Sequence, residues 1–182
     1  MAADRAQADA DRSRLIYQLK LDAQNLKGQI DAVLGRVDRV KPKSEEIIAA
    51  FGRQTEKIEA LLNRERSFAD AIARGQVQIA ISQAVMDTER EIDVIKNSVQ
   101  DLANAIRDTN EQARQISTRC AASQVASDAS VAASCTAVSD DVVRLQNAVR
   151  QASPTVREVE MTYQRELAKQ KRLEAEADRL TN

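Results

Sequence analysis

Apolar residues recur along the first half of the chain at alternating spacings of three and four, the pattern of a coiled-coil helix. Each row of core positions along a helix is called a seam here. The first seam comprises Ile16, Leu19, Ala23, Leu26, Ile30, Val33, Val37 and Val40. The second comprises Ile48, Phe51, Thr55, Ile58, Leu62, Glu65, Ala69 and Ile72. These seams predict two amphipathic helices.

The second half carries two longer seams. The third comprises Ile81, Val85, Thr88, Ile92, Ile95, Val99, Leu102, Ile106, Thr109, Ala113, Ile116 and Cys120. The fourth comprises Val131, Cys135, Val138, Val142, Leu145, Val149, Ala152, Val156, Val159, Tyr163, Glu166, Gln170, Leu173, Ala177 and Leu180. The fourth seam keeps its phase across Pro154, which favours a kink over a chain reversal. A short break with Ser153 as a new N-cap is the alternative.

Turn signals divide the seams into helices. A turn is expected at residues 41–46, where Pro42 would end the first helix and Ser44 can cap the second. Gly75 favours a second turn, although no N-cap residue follows it. The alternative is one continuous helix of about 110 Å, at 1.5 Å per residue. The favoured prediction is a single domain, residues 1–182, with helices over about 4–40, 44–73, 76–120 and 131–180.

The two cysteines indicate how the last two helices pair. If the chain reverses near residues 127 and 128, facing positions have numbers that add to about 255, so Cys120 meets Cys135 and Ile92 meets Tyr163. Core positions face each other at every layer of this register. We therefore expect a Cys120–Cys135 disulfide, worth about 3 kcal/mol by the chain-entropy model. The alternative is two reduced, buried thiols in a cytoplasmic coiled coil.

These elements predict an all-α fold, namely an elongated antiparallel four-helix bundle or coiled coil. Because the third and fourth helices are longer than the others, their hairpin should protrude by roughly 20 Å, at 1.5 Å per residue. The disulfide would close the tip of this hairpin spur. Two helices without a bulky core have little reason to persist alone, so the spur is expected to be an interaction surface. The alternative is an elongated hairpin that has no dedicated partner.

Composition and charge exclude several classes of protein. The chain has no His, no glycine-rich phosphate loop and no nucleophile elbow, which argues against an enzyme, a cofactor site or a metal site. Its 27 basic and 28 acidic residues are interleaved, without the basic stripe of a nucleic-acid binder. The longest apolar run, residues 47–51, is too short to span a bilayer. Any membrane anchor would lie outside these residues.

Four polar residues interrupt the seams and are expected at one level of the bundle. A reversal at Gly75 puts Glu65 at the height of Val85, and the second hairpin adds Thr88, Glu166 and Gln170. One interpretation is a small-ligand or cation site. The other is a hydrated polar layer that fixes the register of the helices, as buried polar residues do in coiled coils.

The sequence therefore predicts a non-enzymatic structural or adaptor protein that binds another protein, or a copy of itself, through coiled-coil surfaces. The alternative is the periplasmic four-helix sensor domain of a membrane receptor, because the predicted architecture resembles the helical sensor domains of bacterial chemoreceptors. A disulfide indicates a periplasmic or extracellular location. Reduced cysteines would indicate the cytoplasm.

Overall fold

Four helices make up almost all of the chain. The computed structural model describes residues 2–122 and 125–182. It contains α1 (Ala2–Asp38), α2 (Val40–Ser67), α3 (Ala71–Cys120) and α4 (Ala129–Thr181). No strand occurs in these described ranges. The predicted all-α helical bundle is confirmed.

The helices are distributed over two compact units. Unit 1 comprises Met1–Asp38 and Asp101–Gln151, and unit 2 comprises Arg39–Gln100 and Ala152–Asn182. Each unit thus contains three helical segments, one from α3, one from α4 and one from either α1 or α2. The assignment of residues 1–182 to a single domain stays a prediction.

In unit 1, α1 packs against both helices of the disulfide-closed hairpin. Asp22 of α1 forms an ion pair with Arg119 of α3, and Asp31 of α1 forms one with Arg144 of α4 at 2.7 Å. The prediction that this hairpin protrudes as a bare two-helix spur is therefore wrong. The error follows from the predicted turn at 41–46, which would have folded α1 back along α2.

The predicted turn at residues 41–46 is absent. Arg39 alone separates α1 from α2, and its φ of −80° and ψ of −9° are those of right-handed helix. The Lys43 amide donates to the Arg39 carbonyl at 3.1 Å, as in a helix. Pro42 lies in the first turn of α2, where a backbone N–H has no partner within the helix, so proline costs little there. Ser44 does not cap a helix; its hydroxyl donates to the Val40 carbonyl at 2.6 Å.

The chain reverses at residues 68–70, not at Gly75. Phe68 has an extended backbone and ends α2. Asp70 caps α3, because its carboxylate accepts hydrogen bonds from the amides of Ile72 at 3.2 Å and Ala73 at 3.3 Å. Gly75 lies inside the helix that follows. The turn predicted at Gly75 is therefore wrong, and Asp70, the residue at which α3 starts, was not predicted as a cap.

The reversal between α3 and α4 lies where the cysteine register predicts it. Asp128 caps α4 by accepting from the amides of Ser130 at 2.9 Å and Val131 at 3.1 Å. The Ser130 hydroxyl also donates to this carboxylate and is the main reason why the pKa of Asp128 is lowered. Val125 is buried inside the turn. The predicted turn centre at residues 127 and 128 agrees with this cap.

Pro154 does not interrupt α4, which runs unbroken from Ala129 to Thr181. The prediction that the chain does not reverse at Ser153-Pro154 is confirmed. A new helix starting at Ser153 is not observed.

The seams fill the two cores. Unit 1 buries the apolar residues Leu19, Ala23, Leu26, Ile30, Val33, Val37, Ala113, Ile116, Val125, Val131, Val138 and Leu145. Unit 2 contains two apolar clusters, one around Ile58 and Ile81 and one in which Phe51, Ile92 and Tyr163 meet. Ile92 and Tyr163, which the predicted register places opposite each other, thus belong to the same cluster. In contrast, Ile72 is largely exposed, because the second seam ends with its helix at Ser67.

Candidate functional site

A hydrogen-bonded polar network crosses the core of unit 2 between α2 and α4. The Thr55 hydroxyl donates to Glu166 Oε2 at 2.7 Å, and Gln170 Nε2 donates to Thr55 Oγ1 at 3.1 Å. Thr55 and Gln170 are buried, whereas the Glu166 side chain is 18% exposed. The structure thus brings together two of the four residues predicted for the polar layer and adds Thr55, which the sequence placed only on a seam.

Glu65 lies elsewhere, so its predicted place in that layer is wrong. Its Oε1 accepts from the Thr181 hydroxyl at 2.8 Å, while Oε2 has no hydrogen-bond partner among the described residues. The displacement follows from the turn, since a reversal at residues 68–70 sets Gln54 opposite Ala84, with numbers adding to 138. A reversal at Gly75 would require about 150. Thr181 falls outside the seams, and no sequence signal pointed to it.

Thr88 is buried, and its hydroxyl forms a hydrogen bond within its own helix. Its hydroxyl donates to the Ala84 carbonyl one turn earlier, at 3.2 Å. Among the described residues, Thr88 forms no hydrogen bond with Glu166 or Gln170. Thr88 thus fills a core position of α3. It also lines a groove between α2 and α3.

The disulfide closes the end of unit 1. The sulfur atoms of Cys120 and Cys135 are 2.03 Å apart, and their Cα atoms are 6.2 Å apart. Both residues are half-buried at the end of the apolar core. The predicted cysteine pairing is confirmed.

Helix α1 is fastened to this closed end by polar contacts. Arg12 donates to the Ser127 hydroxyl at 3.1 Å, in the turn between α3 and α4. One residue before the disulfide cysteine that ends α3, Arg119 pairs with Asp22. The hydrogen bond from Arg119 is the main reason why the pKa of Asp22 is lowered. The disulfide end is therefore a three-helix surface.

A groove of about 650 Å³ runs between α2 and α3 in unit 2. We call its apolar lining residues Ile47, Ala50 and Phe51, together with Thr88, the floor of the groove. The α2 wall carries Lys43, Arg53 and Lys57 together with Glu46, and the α3 wall carries Asp87 and Glu91. One wall is therefore mainly basic, and the other is acidic.

The other two helix boundaries of unit 2 are crossed by ion pairs. Lys169 of α4 reaches Glu59 of α2 at 3.0 Å, and Lys171 of α4 reaches Glu89 of α3 at 2.6 Å. These carboxylates raise the pKa of both lysines, chiefly through the side-chain hydrogen bond. An ion pair between Arg66 and Glu176 also joins α2 to α4. In the described part of unit 2, no ion pair joins α2 to α3.

A stripe of exposed apolar residues follows α3 in unit 2. It consists of Ile72, Ile79, Met86 and Val94, which are 72%, 68%, 46% and 58% exposed. The first three are spaced by seven residues and therefore share one face, since a straight helix drifts only about 20° per heptad. The core seam of α3, beginning at Ile81, lies on the other side of the helix. We call this set the α3 stripe.

The buried network, the open groove and the α3 stripe are thus the main polar and surface features of this all-α helical bundle. Within residues 2–122 and 125–182, no cluster of three or more acidic or cysteine side chains is placed to hold a metal ion. No helix in those ranges combines the length and the hydrophobicity needed to cross a membrane. No family model, curated protein or solved structure matches this chain.

Proposed function

We propose that this protein is a non-enzymatic coiled-coil adaptor that binds a protein partner through its helical surface in an oxidising compartment outside the cytoplasm. The α3 stripe carries the proposal. A helix that already buries one seam in its own bundle has no need of a second apolar row for folding. Aligned exposed apolar residues at heptad spacing are typical of a seam that another helix covers.

Polar residues between the stripe positions fit a reversible contact. Gln83 lies between Ile79 and Met86, and Arg90 lies between Met86 and Val94, all facing outward. They limit the continuous apolar area left in water when no partner is bound. This mixture differs from the core seam of the same helix, where Ile81, Val85 and Ile92 are buried.

The extracytoplasmic location rests on the disulfide. Disulfides form and persist in oxidising compartments and are rare in the cytosol. The test is the intact mass of protein taken from its native cells, alkylated without reduction. Protection of both cysteines supports this location, and two alkylated thiols would contradict it.

The sensor alternative receives less support. A four-helix sensor domain needs four helical segments side by side, whereas each unit here contains three. In addition, Glu65 does not join Glu166 and Gln170 in the buried layer that suggested a ligand site.

Site-specific photocrosslinking in the native cells tests the adaptor function. A photoreactive amino acid at Ile79 should give a defined protein adduct, whereas the same probe at Asn147, exposed on α4 of unit 1, should not. A third probe at Ala126, in the turn beside the disulfide, reports on binding at the hairpin end. The identity of the adduct distinguishes a second copy from another protein. Equal labelling at Ile79 and Asn147, or none at Ile79, would overturn the proposal.

A matched variant links the adduct to the stripe. With the probe at Arg90, the triple substitution Ile72→Gln, Ile79→Gln and Met86→Gln should abolish the adduct. Because all three side chains are exposed, the folded protein should lose no more than about 0.5 kcal/mol per substitution. A circular dichroism melt checks that the variant is folded.

A further inference from the structure

The α2–α3 groove of unit 2 is unlike the other two helix boundaries of the same unit. Ion pairs from Lys169 and Lys171 cross the boundaries of α4 with α2 and with α3. At the α2–α3 boundary, the hydrogen bond from Gln54 to the Ala84 carbonyl crosses instead, at 3.0 Å. The space above it stays open.

The charges along this groove face each other without pairing. Within the described residues, Lys43, Arg53 and Lys57 form no ion pair, and neither do Glu46 and Glu91. The third acid, Asp87, has partners only on its own helix, namely an ion pair at 3.7 Å with the exposed Arg90 and a hydrogen bond at 2.9 Å from Gln83. Charged side chains that flank an apolar floor and form no ion pair across the groove leave their pairing capacity for a molecule in the groove.

The size and lining of the groove fit an α-helix. Lys43 and Lys57 are fourteen positions apart on α2, which corresponds to about 21 Å of helix, or roughly four turns. The floor residues Ile47, Ala50 and Phe51 lie at the spacings of three and four that receive the apolar side chains of a neighbouring helix. Occupation would give this part of unit 2 a fourth helical segment.

We infer that the α2–α3 groove binds an amphipathic helix of another protein that carries acidic residues along one flank of its apolar stripe and basic residues along the other. The acidic flank would pair with Arg53 and Lys57, and the basic flank with Asp87 and Glu91. This inference deepens the proposed adaptor function by naming the chemistry of a partner. It uses a surface that shares no residue with the α3 stripe.

Three designed peptides of about 18 residues, roughly 27 Å as helices, test this inference. They share one Leu/Ala stripe and differ only in their flanks, which are one acidic and one basic, both acidic, or both basic. Fluorescence anisotropy of labelled peptide at low salt measures binding to the full chain. The peptide with two different flanks should bind about tenfold more tightly than either other peptide, a difference of about 1.4 kcal/mol.

Charge reversal of one wall should change which peptide binds best. The variant Arg53→Glu/Lys57→Glu makes both walls acidic and should prefer the peptide with two basic flanks. The variant Asp87→Lys/Glu91→Lys makes both walls basic and should prefer the peptide with two acidic flanks. These side chains are at the surface of the groove, and a circular dichroism melt identifies any variant that fails to fold.

A matched control separates groove charge from net charge. Arg5→Glu/Arg14→Glu changes the net charge by the same amount as the α2-wall variant, but on exposed positions of α1 in unit 1. It should retain the preference of the natural protein. The inference is overturned if the natural protein binds all three peptides equally or binds none, or if this control changes the preference as the wall variants do.

Sedimentation equilibrium decides between a foreign helix and a second copy. The natural protein should be monomeric under the binding conditions. A dimer that the α2-wall variant dissociates would identify a second copy as the occupant and would overturn the inference of a foreign helix. Photocrosslinking at Ile79 reports on the α3 stripe alone, so failure of the groove is distinguishable from failure of the adaptor function.

Discussion

The two units stabilise their narrow helical cores in different ways. The buried side chains of unit 1 are almost all apolar, and a disulfide closes one end of the unit. Among its described residues, Thr109 is the buried polar one. Unit 2 buries Ser44, Thr55, Glu65, Thr88, Thr162 and Gln170 among its apolar clusters. Apolar burial and a covalent bond stabilise the first, whereas the second depends in part on hydrogen bonds inside its core.

This difference indicates which interactions fix the register of the helices in each unit. Apolar seams of similar residues can slide by one heptad at modest cost, and a buried polar pair resists such a shift because a partnerless polar group is expensive. In unit 2, Thr55 and Gln170 fix α2 against α4 at one level. In unit 1, the Cys120–Cys135 bond fixes α3 against α4. The two units thus set the register of their helices by interactions of different chemical kinds.

The largest expected effects come from matched core truncations in the two units. Ile30→Ala in unit 1 and Ile58→Ala in unit 2 each remove a fully buried side chain and should lower the free energy of unfolding by about 2–5 kcal/mol. Urea denaturation measures the loss. Hydrogen exchange should accelerate first in α1 for Ile30→Ala and in α2 for Ile58→Ala; the same pattern for both variants would contradict separate units.

Removal of the disulfide should weaken unit 1 selectively. Cys120→Ser/Cys135→Ser opens a loop with a sequence separation of 15 and should cost about 3 kcal/mol. We expect faster amide exchange in α1 and in residues 101–151, with α2 little changed. Alkylation of the reduced natural protein should reproduce this pattern. If α2 loses protection to the same extent as α1, the two units unfold together.

Thr55→Val should destabilise unit 2 by about 1–3 kcal/mol, because it removes the partner of the buried Gln170 amide and leaves that side chain without hydrogen bonds. The double variant Thr55→Val/Gln170→Leu should recover part of the loss, since both polar groups are then replaced. A double-mutant cycle from chemical denaturation measures the coupling. Additive costs would show that the network does not stabilise the core.

Gly75→Ala should stabilise the protein by about 0.5–1 kcal/mol. The residue lies within α3 at an ordinary helical φ, and no neighbouring atom lies within 4 Å of an added Cβ. Gly28→Ala, in α1 of unit 1, has the same open surroundings and serves as the matched change. Thermal melts should show a rise for both. A loss at Gly75 would indicate that the chain turns there.

The smallest expected effect concerns the α1 contact near the disulfide. Arg119 lowers the pKa of Asp22, so this pair contributes fully above the unfolded carboxyl pKa of about 3.9, and its contribution is lost as the pH falls through the lowered value. Both side chains are partly exposed, which limits the contribution to about 0.2–1 kcal/mol. Asp22→Asn should cost this much at pH 7 and progressively less at acidic pH. Asp9→Asn, exposed on the same helix, should cost nothing.

The seams show how much of the fold was predictable. Apolar periodicity identified the buried positions of α1 from Leu19 to Val37, and the cysteine register identified the α3–α4 pairing. Both depend on local spacing that the sequence displays directly. The all-α bundle followed from them.

The two wrongly predicted helix boundaries have a common physical origin. Pro42 and Gly75 are read as helix ends, yet proline is tolerated in a first turn and glycine is tolerated inside a helix that tertiary packing supports. The cap at Asp70 was the better signal, because it satisfies amides that otherwise lack partners. One misplaced turn shifted the α2–α3 register and carried Glu65 out of its predicted layer.

The surface features could not be predicted in the same way. The groove depends on which pair of helices lacks crossing ion pairs, a property of the assembled unit 2. The α3 stripe was visible in the sequence as Ile72, Ile79 and Met86, but Ile72 was assigned to the second seam because the second helix was expected to continue to about residue 73. Ile72 is exposed because α2 ends at Ser67, so that Ile72 belongs to α3 and not to the second seam.

The Cys120–Cys135 bond has a consequence for proteolysis. Exposed residues such as Ala126 lie inside the segment that it encloses. A protease that cuts there would produce two fragments that remain covalently joined and keep their helices paired. The nicked chain would migrate as one species until a reductant is added, so the hairpin end could be cleaved in an oxidising environment without the release of either half.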